Sequence, residues 1–386
     1  MHASNVSTPI AGHIGTIFVA IELSQKGWLV TLHSPDKDRL SRHKVEAGDH
    51  AGLLSLLEGV RQRACRALGT APSVTSCYEA GYDGFWLHRF LQAHGIESYV
   101  FDPASIAVEQ RSRRAKSDRI DGEQLLRTLM AYRRGEPRVV RIVRVPSADQ
   151  EDTRRATRER DRLVGEQTQH SNRLKSLLQL HGFPVGNPRR RDWLKWLADQ
   201  RDWQGQRVPP RIMAEIEREH ERLILVRKQL AAVEQPPVQV QPTPAVVEMG
   251  RRRDMLFRLK SLGPVFTTSL TGEVFYKDFT NRRQVGSYFG LAPSPWKSGG
   301  IDREQGISKA GNPRARQKAI ELAWLWVRHQ PDSALTQWFR ERTAKVGKRI
   351  KRIAIVGLAR KLMVALWRFL TTGLVPTGAK LKPTTA

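Results

Sequence analysis

The chain has 386 residues, with 65 Lys and Arg against 38 Asp and Glu, a formal net charge of +27. A hydrophobic content of 40% can bury a substantial core and excludes wholesale disorder. So large a positive surplus destabilises a compact chain by self-repulsion unless a polyanion neutralises it, which argues against a small-metabolite enzyme and for a nucleic-acid partner.

Residues 1–13 form a weakly patterned arm. Thr16 to Leu23 is a β-rich run, and a turn at Ser24–Gly27 joins it to a second run, Trp28 to His33. Arg39 to Glu46 follows as a third strand. Asp49 can cap a helix whose apolar face carries Leu53, Leu54, Leu57 and Val60. Ser73 to Tyr78 reads as a buried strand, Phe85 to His94 as a helix and Glu97 to Phe101 as a strand. A basic loop, Gln110 to Lys116, then precedes a helix from Asp118 to Arg134. The order β-β-β-α-β-α-β-α describes an α/β domain with a mixed sheet over residues 14–145. It lacks the βαβ repeat and glycine fingerprints of nucleotide-binding folds.

Ser147 to His181 is a charged helical stretch with Ala156, Leu163, His170 and Leu177 seven apart. Ile216, Leu223 and Leu230 repeat that spacing in a helix from Pro210 to Glu234. The pattern suits an antiparallel hairpin or a coiled coil between protomers, and it defines a helical segment over 146–235. Gln235 to Pro244 is Pro-rich, so residues 236–250 read as an extended linker. Residues 251–375 form a mostly helical domain interrupted by a loop from Ala292 to Gly306, and 376–386 read as a flexible tail.

Cys65 and Cys77 are too few for a disulfide framework or a zinc site, which fits a reducing compartment. The apolar run before Glu22 is too short for a membrane span. The later run Ile353 to Leu370 is broken by Arg360, Lys361 and Arg368, so a soluble cytoplasmic protein without membrane contact is expected.

Two constellations carry chemistry. Glu22 and Glu79 end predicted strands, and Asp118 and Asp121 lie three apart, on one face at the start of a helix. Such carboxylates suit a pair of hard Mg²⁺ or Mn²⁺ ions able to stabilise both oxygens of a phosphodiester displacement, although Asp118 could equally cap its helix. The second is Ser298, followed by two glycines that permit close approach to a phosphate, with Lys297, Arg303, Lys309 and Arg314 nearby in sequence. Read alone, a polar loop whose serine bonds backbone explains it as well.

Taken together, the motifs resemble a family, the DEDD-type transposases of bacterial insertion sequences (the insertion-sequence-one-ten family, bridge-RNA-guided recombinases). The markers are Ile21-Glu22-Leu-Ser, Tyr78-Glu79-Ala-Gly, Asp102-Pro-Ala, Lys116-Ser-Asp118-Arg-Ile-Asp121, Tyr288-Phe-Gly-Leu-Ala-Pro293, Ser298-Gly, Ile307-Ser-Lys-Ala-Gly-Asn312 and Arg360-Lys-Leu362. The resemblance implies a RuvC-like, ribonuclease-H-type domain holding Mg²⁺ on Glu22, Glu79, Asp118 and Asp121. A coiled-coil segment follows, then a C-terminal transposase domain with Ser298 as nucleophile. It also implies donor and target DNA as substrates, a structured noncoding bridge RNA as guide, and a dimer or tetramer in the bacterial nucleoid. Two positions depart from the pattern. Glu22 stands where the family has Asp, and Lys260-Ser261-Leu262-Gly263 replaces a Pro-Gly-x-Gly hairpin. A junction-resolving Mg²⁺ nuclease without serine chemistry, and a nucleic-acid-binding protein with a weakened acidic site, are the alternatives.

Charge is concentrated over 111–160, with 15 basic against 8 acidic residues, and over 340–368, with 10 against one. Arg113, Arg114 and Lys116 in the first zone, and Lys348, Arg349, Lys351 and Arg352 in the second, are expected phosphate contacts. Trp193, Trp196 and Trp203 suit either a small core or base stacking, while Trp324, Trp326 and Trp367 read as core. His88, His170 and His181 have no partner at ligand spacing, and Asp102 reads as a turn former.

Overall fold

A computed structural model describes residues 15–37, 39–82, 84–106, 118–235, 241–298 and 301–383, with side chains described except at 118–120, 295–298 and 301–305. The expected contacts Arg113, Arg114 and Lys116 lie outside the described residues. The backbone divides into two compact units, Met1–Pro146 and Ser147–Ala386.

In the first unit, β1 (Thr16–Glu22) is apolar on both faces because helices cover both sides of its sheet. It pairs antiparallel with β2 (Trp28–His33), which pairs antiparallel with β3 (Leu40–Val45). On its other edge β1 runs parallel to β4 (Ser73–Glu79), and β4 parallel to β5 (Glu97–Phe101). The spatial order β3-β2-β1-β4-β5 makes the mixed sheet expected from the element order. Helix α1 (His50–Leu68) starts where the Asp49 carboxylate accepts the Gly52 N–H and stops at Gly69, which adopts φ 72°. Its Leu53, Leu57, Val60 and Ala64 pack on Ile17, Val19 and Ile21 beside α2 (Trp86–Ala93). The other sheet face, with Phe18, Ala20, Cys77 and Phe101, is covered by Leu125, Leu126 and Leu129 of α3 (Asp118–Arg133).

The second unit begins with α4 (Ala148–Leu180), whose start is fixed by a capping box between Ser147 and Gln150. The short α5 (Trp193–Ala198) and then α6 (Pro210–Val233) fold back on it. Arg160 pairs with Glu234, His170 with Glu219 and Arg173 with Glu215, so α4 and α6 run antiparallel. Leu174, Leu177 and Leu178 meet Ile216 and Leu223 between them. Trp193 belongs to this core and Trp196 packs on it, whereas Trp203 is exposed.

Next come α7 (Pro244–Phe257), α8 (Pro264–Glu273) and α9 (Arg282–Tyr288). A hairpin of β6 (Pro293–Ser298) and β7 (Ile301–Ile307) follows, then α10 (Pro313–His329), α11 (Ala334–Thr343) and α12 (Lys348–Thr372). Helix α12 forms the centre of the core, with Leu358, Leu362 and Leu366 fully buried among Ala319, Leu322 and Trp326 of α10.

Four expectations are corrected here. Residues 244–250, taken as linker, are helical, because Pro244 occupies a first turn where no N–H is required. The stretch 292–306, taken as a loop, contains both strands of the hairpin. Residues 376–383, taken as part of a flexible tail, are tied down. Leu381 bridges Leu259, the Lys260 N–H donates to the Lys380 carbonyl, and the Lys382 N–H donates to the Arg258 carbonyl. Gln330 donates to the carbonyls of Lys260 and Lys380 and accepts from the Lys380 N–H. Trp324, expected in the core, is 44% exposed on α10, while Trp326 is fully buried. Among the described residues, no helix is long and apolar enough to cross a membrane.

Candidate active site

Parallel pairing of Ile21 with Tyr78 makes Glu22 and Glu79 the next residues at the carboxyl ends of adjacent strands. Even-numbered residues of β1 and odd-numbered residues of β4 face α3, as Phe18, Ala20 and Cys77 show. Strand alternation therefore aims both carboxylates at the α3 face. Ligands of open α/β sheets collect at such carboxyl ends. Glu22 is partly buried, with its Oε2 atom closed off from solvent, and Glu79 is exposed.

Helix α3 packs its start closely on β2 beside the end of β1, and Gly122 is what allows it. A Cβ at that position would lie 2.6 Å from Thr31 Oγ1 and 4.0 Å from a Leu29 methyl. Leu29 is the register partner of Glu22, so α3 starts over the end of β1. Asp121 is partly buried in that turn, one residue before Gly122 and four before the buried Leu125. Asp118 begins the helix on the same face, its side chain being outside the described set.

Among the described residues, no three His, Cys, Asp or Glu side chains stand close enough to form a complete metal-binding group. The donor set is nonetheless of the right kind, since two strand-end carboxylates and a helix carboxylate are hard oxygen ligands suited to Mg²⁺ or Mn²⁺. Behind them the Cys77 thiol is fully buried, and burial followed by the Glu79 charge pushes its pKa well above the usual thiol value, so it stays protonated. Asp102 turns the chain as expected, accepting the Ala104 N–H at the start of a short turn of helix. His170 is taken by Glu219, and burial lowers the pKa of His88.

The second unit carries Ser298 as the last residue of β6, across the hairpin from Ile301. The root of the hairpin explains the glycine-rich motifs on either side. Ser308 N–H donates to the Ala292 carbonyl, Lys309 N–H to Gly290 and Asn312 N–H to Tyr288. Gly290 adopts φ 62°, and a Cβ there would meet the Ala310 carbonyl at 2.7 Å. Gly311, at φ 130°, is crowded against the carbonyls of Tyr288 and Ser287. The segments 287–292 and 308–312 thus cross with only backbone between them. Asn312 then caps α10 by accepting the N–H groups of Arg314 and Ala315.

Under this crossing lies a polar network for which the sequence offered no motif. Glu273 is 4% exposed and accepts two hydrogen bonds from Arg158 of α4, at 2.7 and 3.0 Å. Burial alone would raise the Glu273 pKa, but the Arg158 guanidinium outweighs it and holds the carboxylate below its usual value. Tyr288 donates to the Glu273 carbonyl at 2.6 Å, and Asn312 donates to its carboxylate at 3.3 Å. Arg154, one turn before Arg158, stacks 4.0 Å from the Tyr276 ring. The hairpin root is therefore anchored through one buried carboxylate.

The expected phosphate contacts fall in three places. Lys297 and Arg303 lie on the two strands of the hairpin, their side chains outside the described set. Lys309 stands at its root with φ 55°, and Arg314 opens α10 half-exposed, 4.0 Å from Asp161. Lys348, Arg349, Lys351 and Arg352 are all exposed at the start of α12, whose first turn has no acidic residue.

Comparisons with known proteins give two profile matches. The description "Transposase IS116/IS110/IS902 family" matches residues 253–338, and a DEDD-type "Transposase" description matches residues 19–183. A Sinorhizobium fredii protein named as a transposase, y4rJ, is 45% identical over 97% of this chain and 97% of its own length. A second from that organism, y4qE, is 27% identical over 81% of this chain and 70% of its own length. The transposase for insertion sequence element IS1328 of Yersinia enterocolitica is 22% identical over 90% and 98%.

Proposed function

The chain belongs to the IS116/IS110/IS902 family of transposases, and from that membership we propose that it cuts and rejoins DNA with Ser298 as nucleophile and Glu22, Glu79, Asp118 and Asp121 as a divalent-metal tetrad. The observation that supports the reading is the strand-end arrangement in the first unit. Glu22 and Glu79 end adjacent parallel strands on one sheet face, and Gly122 lets the start of α3, with Asp118 and Asp121, pack closely against Thr31 and Leu29 beside the end of β1. A divalent cation bound there supplies Lewis-acid stabilisation of phosphodiester oxygens.

The protein's own groups do the remaining work. The Ser298 hydroxyl loses its proton and its Oγ forms a bond to phosphorus, while one P–O bond to a neighbouring sugar breaks and releases a sugar hydroxyl. Attack by a hydroxyl of the second duplex reverses the step and restores the serine. Cations on the hairpin and at its root, Lys297, Arg303, Lys309 and Arg314, neutralise the phosphate as charge accumulates. The four exposed cations opening α12 sit at the positive end of the helix dipole, where they repel one another until a phosphate relieves them. A structured bridge RNA aligns donor and target by base pairing, so no side chain need encode sequence. The serine and the tetrad come from different subunits of a dimer or tetramer.

The test is strand cleavage with RNA, both DNA duplexes and Mg²⁺, scored by a covalent protein–DNA adduct in a denaturing gel. Ser298→Ala should remove the adduct and the cleavage together. Cleavage that survives Ser298→Ala but is lost in Asp118→Asn would replace this reading with that of a junction nuclease.

A further inference from the structure

A groove in the second unit has, among its described lining residues, none from the hairpin or from the first turns of α12. It encloses about 760 Å³ between α9, α11, α12 and the chain that follows α12. Helix α12 ends at Gly373, which takes φ 75°, and the chain turns back so that the Ala334 N–H donates to the Thr377 carbonyl. That return forms one wall of the groove. Leu374 is 72% exposed and Val375 39% exposed along it. Leu335, Trp338 and Val364 complete an apolar surface.

The rim has a single sign. Arg282 and Arg283 from α9 and Arg360, Lys361 and Arg368 from α12 line it, and among the described residues no carboxylate does. Among the described residues, none of these five cations forms an ion pair, although ion pairs are frequent elsewhere in this unit. Lys361 and Arg342 lie 4.9 and 5.3 Å from the centroid of the Trp338 ring, which gathers charge over the apolar floor. Gly357 faces that floor, where a Cβ would stand 3.4 Å from the Trp338 ring, at ordinary contact distance.

An apolar concavity ringed by unpaired cations matches one chemistry, a polyanion whose repeating unit has an apolar, planar part. Duplex DNA keeps its bases stacked inside, so its phosphates could use the rim but nothing would fill the floor. An unpaired strand presents both. We propose that this groove holds an unpaired segment of the DNA substrate, with phosphates on Arg282, Arg283, Arg360 and Arg368 and a base against Leu374, Val375 and Val364. The proposal rests on the DNA-transposase reading, in which breaking strands frees single-stranded ends that must be kept in place.

The test compares binding of the full chain to an oligonucleotide of about twelve residues as single-stranded DNA, as duplex DNA and as RNA, by fluorescence anisotropy over a range of salt. Leu374 and Arg368 are exposed, so Leu374→Ala and Arg368→Gln leave the fold intact. Leu374→Ala is expected to weaken single-stranded DNA binding about fivefold, with less than a twofold effect on the duplex. Arg368→Gln should reduce the magnitude of the log–log salt slope for the single strand by about 0.7, the loss of one phosphate contact. Equal effects of Leu374→Ala on single strand and duplex, or sensitivity confined to RNA, overturn the proposal. Duplex binding with a single strand indifferent to both substitutions sinks the groove alone. A chain that binds DNA in neither form, with a structured RNA supplied as well as without it, sinks the strand-transfer reading and the groove with it.

Discussion

Gly122→Ala is the sharpest probe of the acidic site, because it adds one methyl group and touches no carboxylate. The new Cβ would lie 2.6 Å from Thr31 Oγ1, and Thr31 is fully buried on β2. Restoring an ordinary contact of about 3.4 Å requires the first turn of α3 to lift by roughly 0.8 Å, or Thr31 to rotate within a packed layer. Overpacking of this kind costs about 1–3 kcal/mol, and alanine's better helix propensity returns somewhat under 1 kcal/mol, so a net loss of up to about 2 kcal/mol is expected. The larger effect is on chemistry. Asp121 precedes Gly122 and moves with it, and a displacement near 1 Å in a positioned catalytic group can cost about a hundredfold in rate. Urea unfolding of the variant followed by tryptophan fluorescence, alongside a strand-cleavage time course, measures both. Thr31→Ala removes the clashing oxygen, so the double variant should recover most of the rate. A Gly122→Ala protein with unchanged stability and cleavage, or a double variant no better than the single one, would refute the idea that this close approach sets the tetrad.

Two further outcomes follow from the second unit. Ser261 adopts φ 93°, a region that favours glycine, and its hydroxyl is buried with no hydrogen-bond partner among the described residues, so Ser261→Gly should raise stability by about 1 kcal/mol in denaturant melts. Glu273 has its pKa lowered in the folded state, so the stability it contributes is present above its unfolded value of 4.5 and is lost as pH falls through the lower folded value. Arg158→Met leaves that carboxylate buried against burial's upward pull and should cost about 3 kcal/mol at neutral pH. The gap between variant and wild type should narrow as melts are taken below about pH 4.5, and a gap constant with pH would mean that Glu273 is not the group concerned.

The first unit was readable from the chain because its strands are rich in β-branched and aromatic residues and its helices carry clear apolar faces. Glu22 and Glu79 could be placed at strand ends from sequence, but their adjacency depends on β1 and β4 being parallel neighbours, which no local pattern states. Gly122 leaves no such signal, because a glycine inside a helix resembles a weak helix former until the opposing strand is known. The hairpin bearing Ser298 is hidden in the sequence for a related reason. Pro293 and Pro295 break the alternation of β6, and prolines are tolerated there because a two-stranded hairpin is all edge. The Lys-rich, Pro-containing stretch after Gly373 has no periodicity, so nothing in the sequence marks the tail as ordered. It is held by backbone pairing and by Gln330, neither of which leaves a trace in composition.

That clasp also bears on the order of folding. Leu259 and Leu381 are joined across a separation of 122 residues, a closure whose entropic cost grows as (3/2)RT ln n and reaches about 4 kcal/mol beyond its length-independent part. Pairing so distant is rewarded only after the intervening helices have collapsed, so the amides of Lys260 and Lys382 become protected last during refolding and exchange first on partial opening. The residues that wall the groove, 374–377, lie between α12 and this closure. The wall of the groove is thus pinned at one end by the Ala334–Thr377 bond and at the other by the long-range closure, so loosening of the clasp should loosen that wall as well.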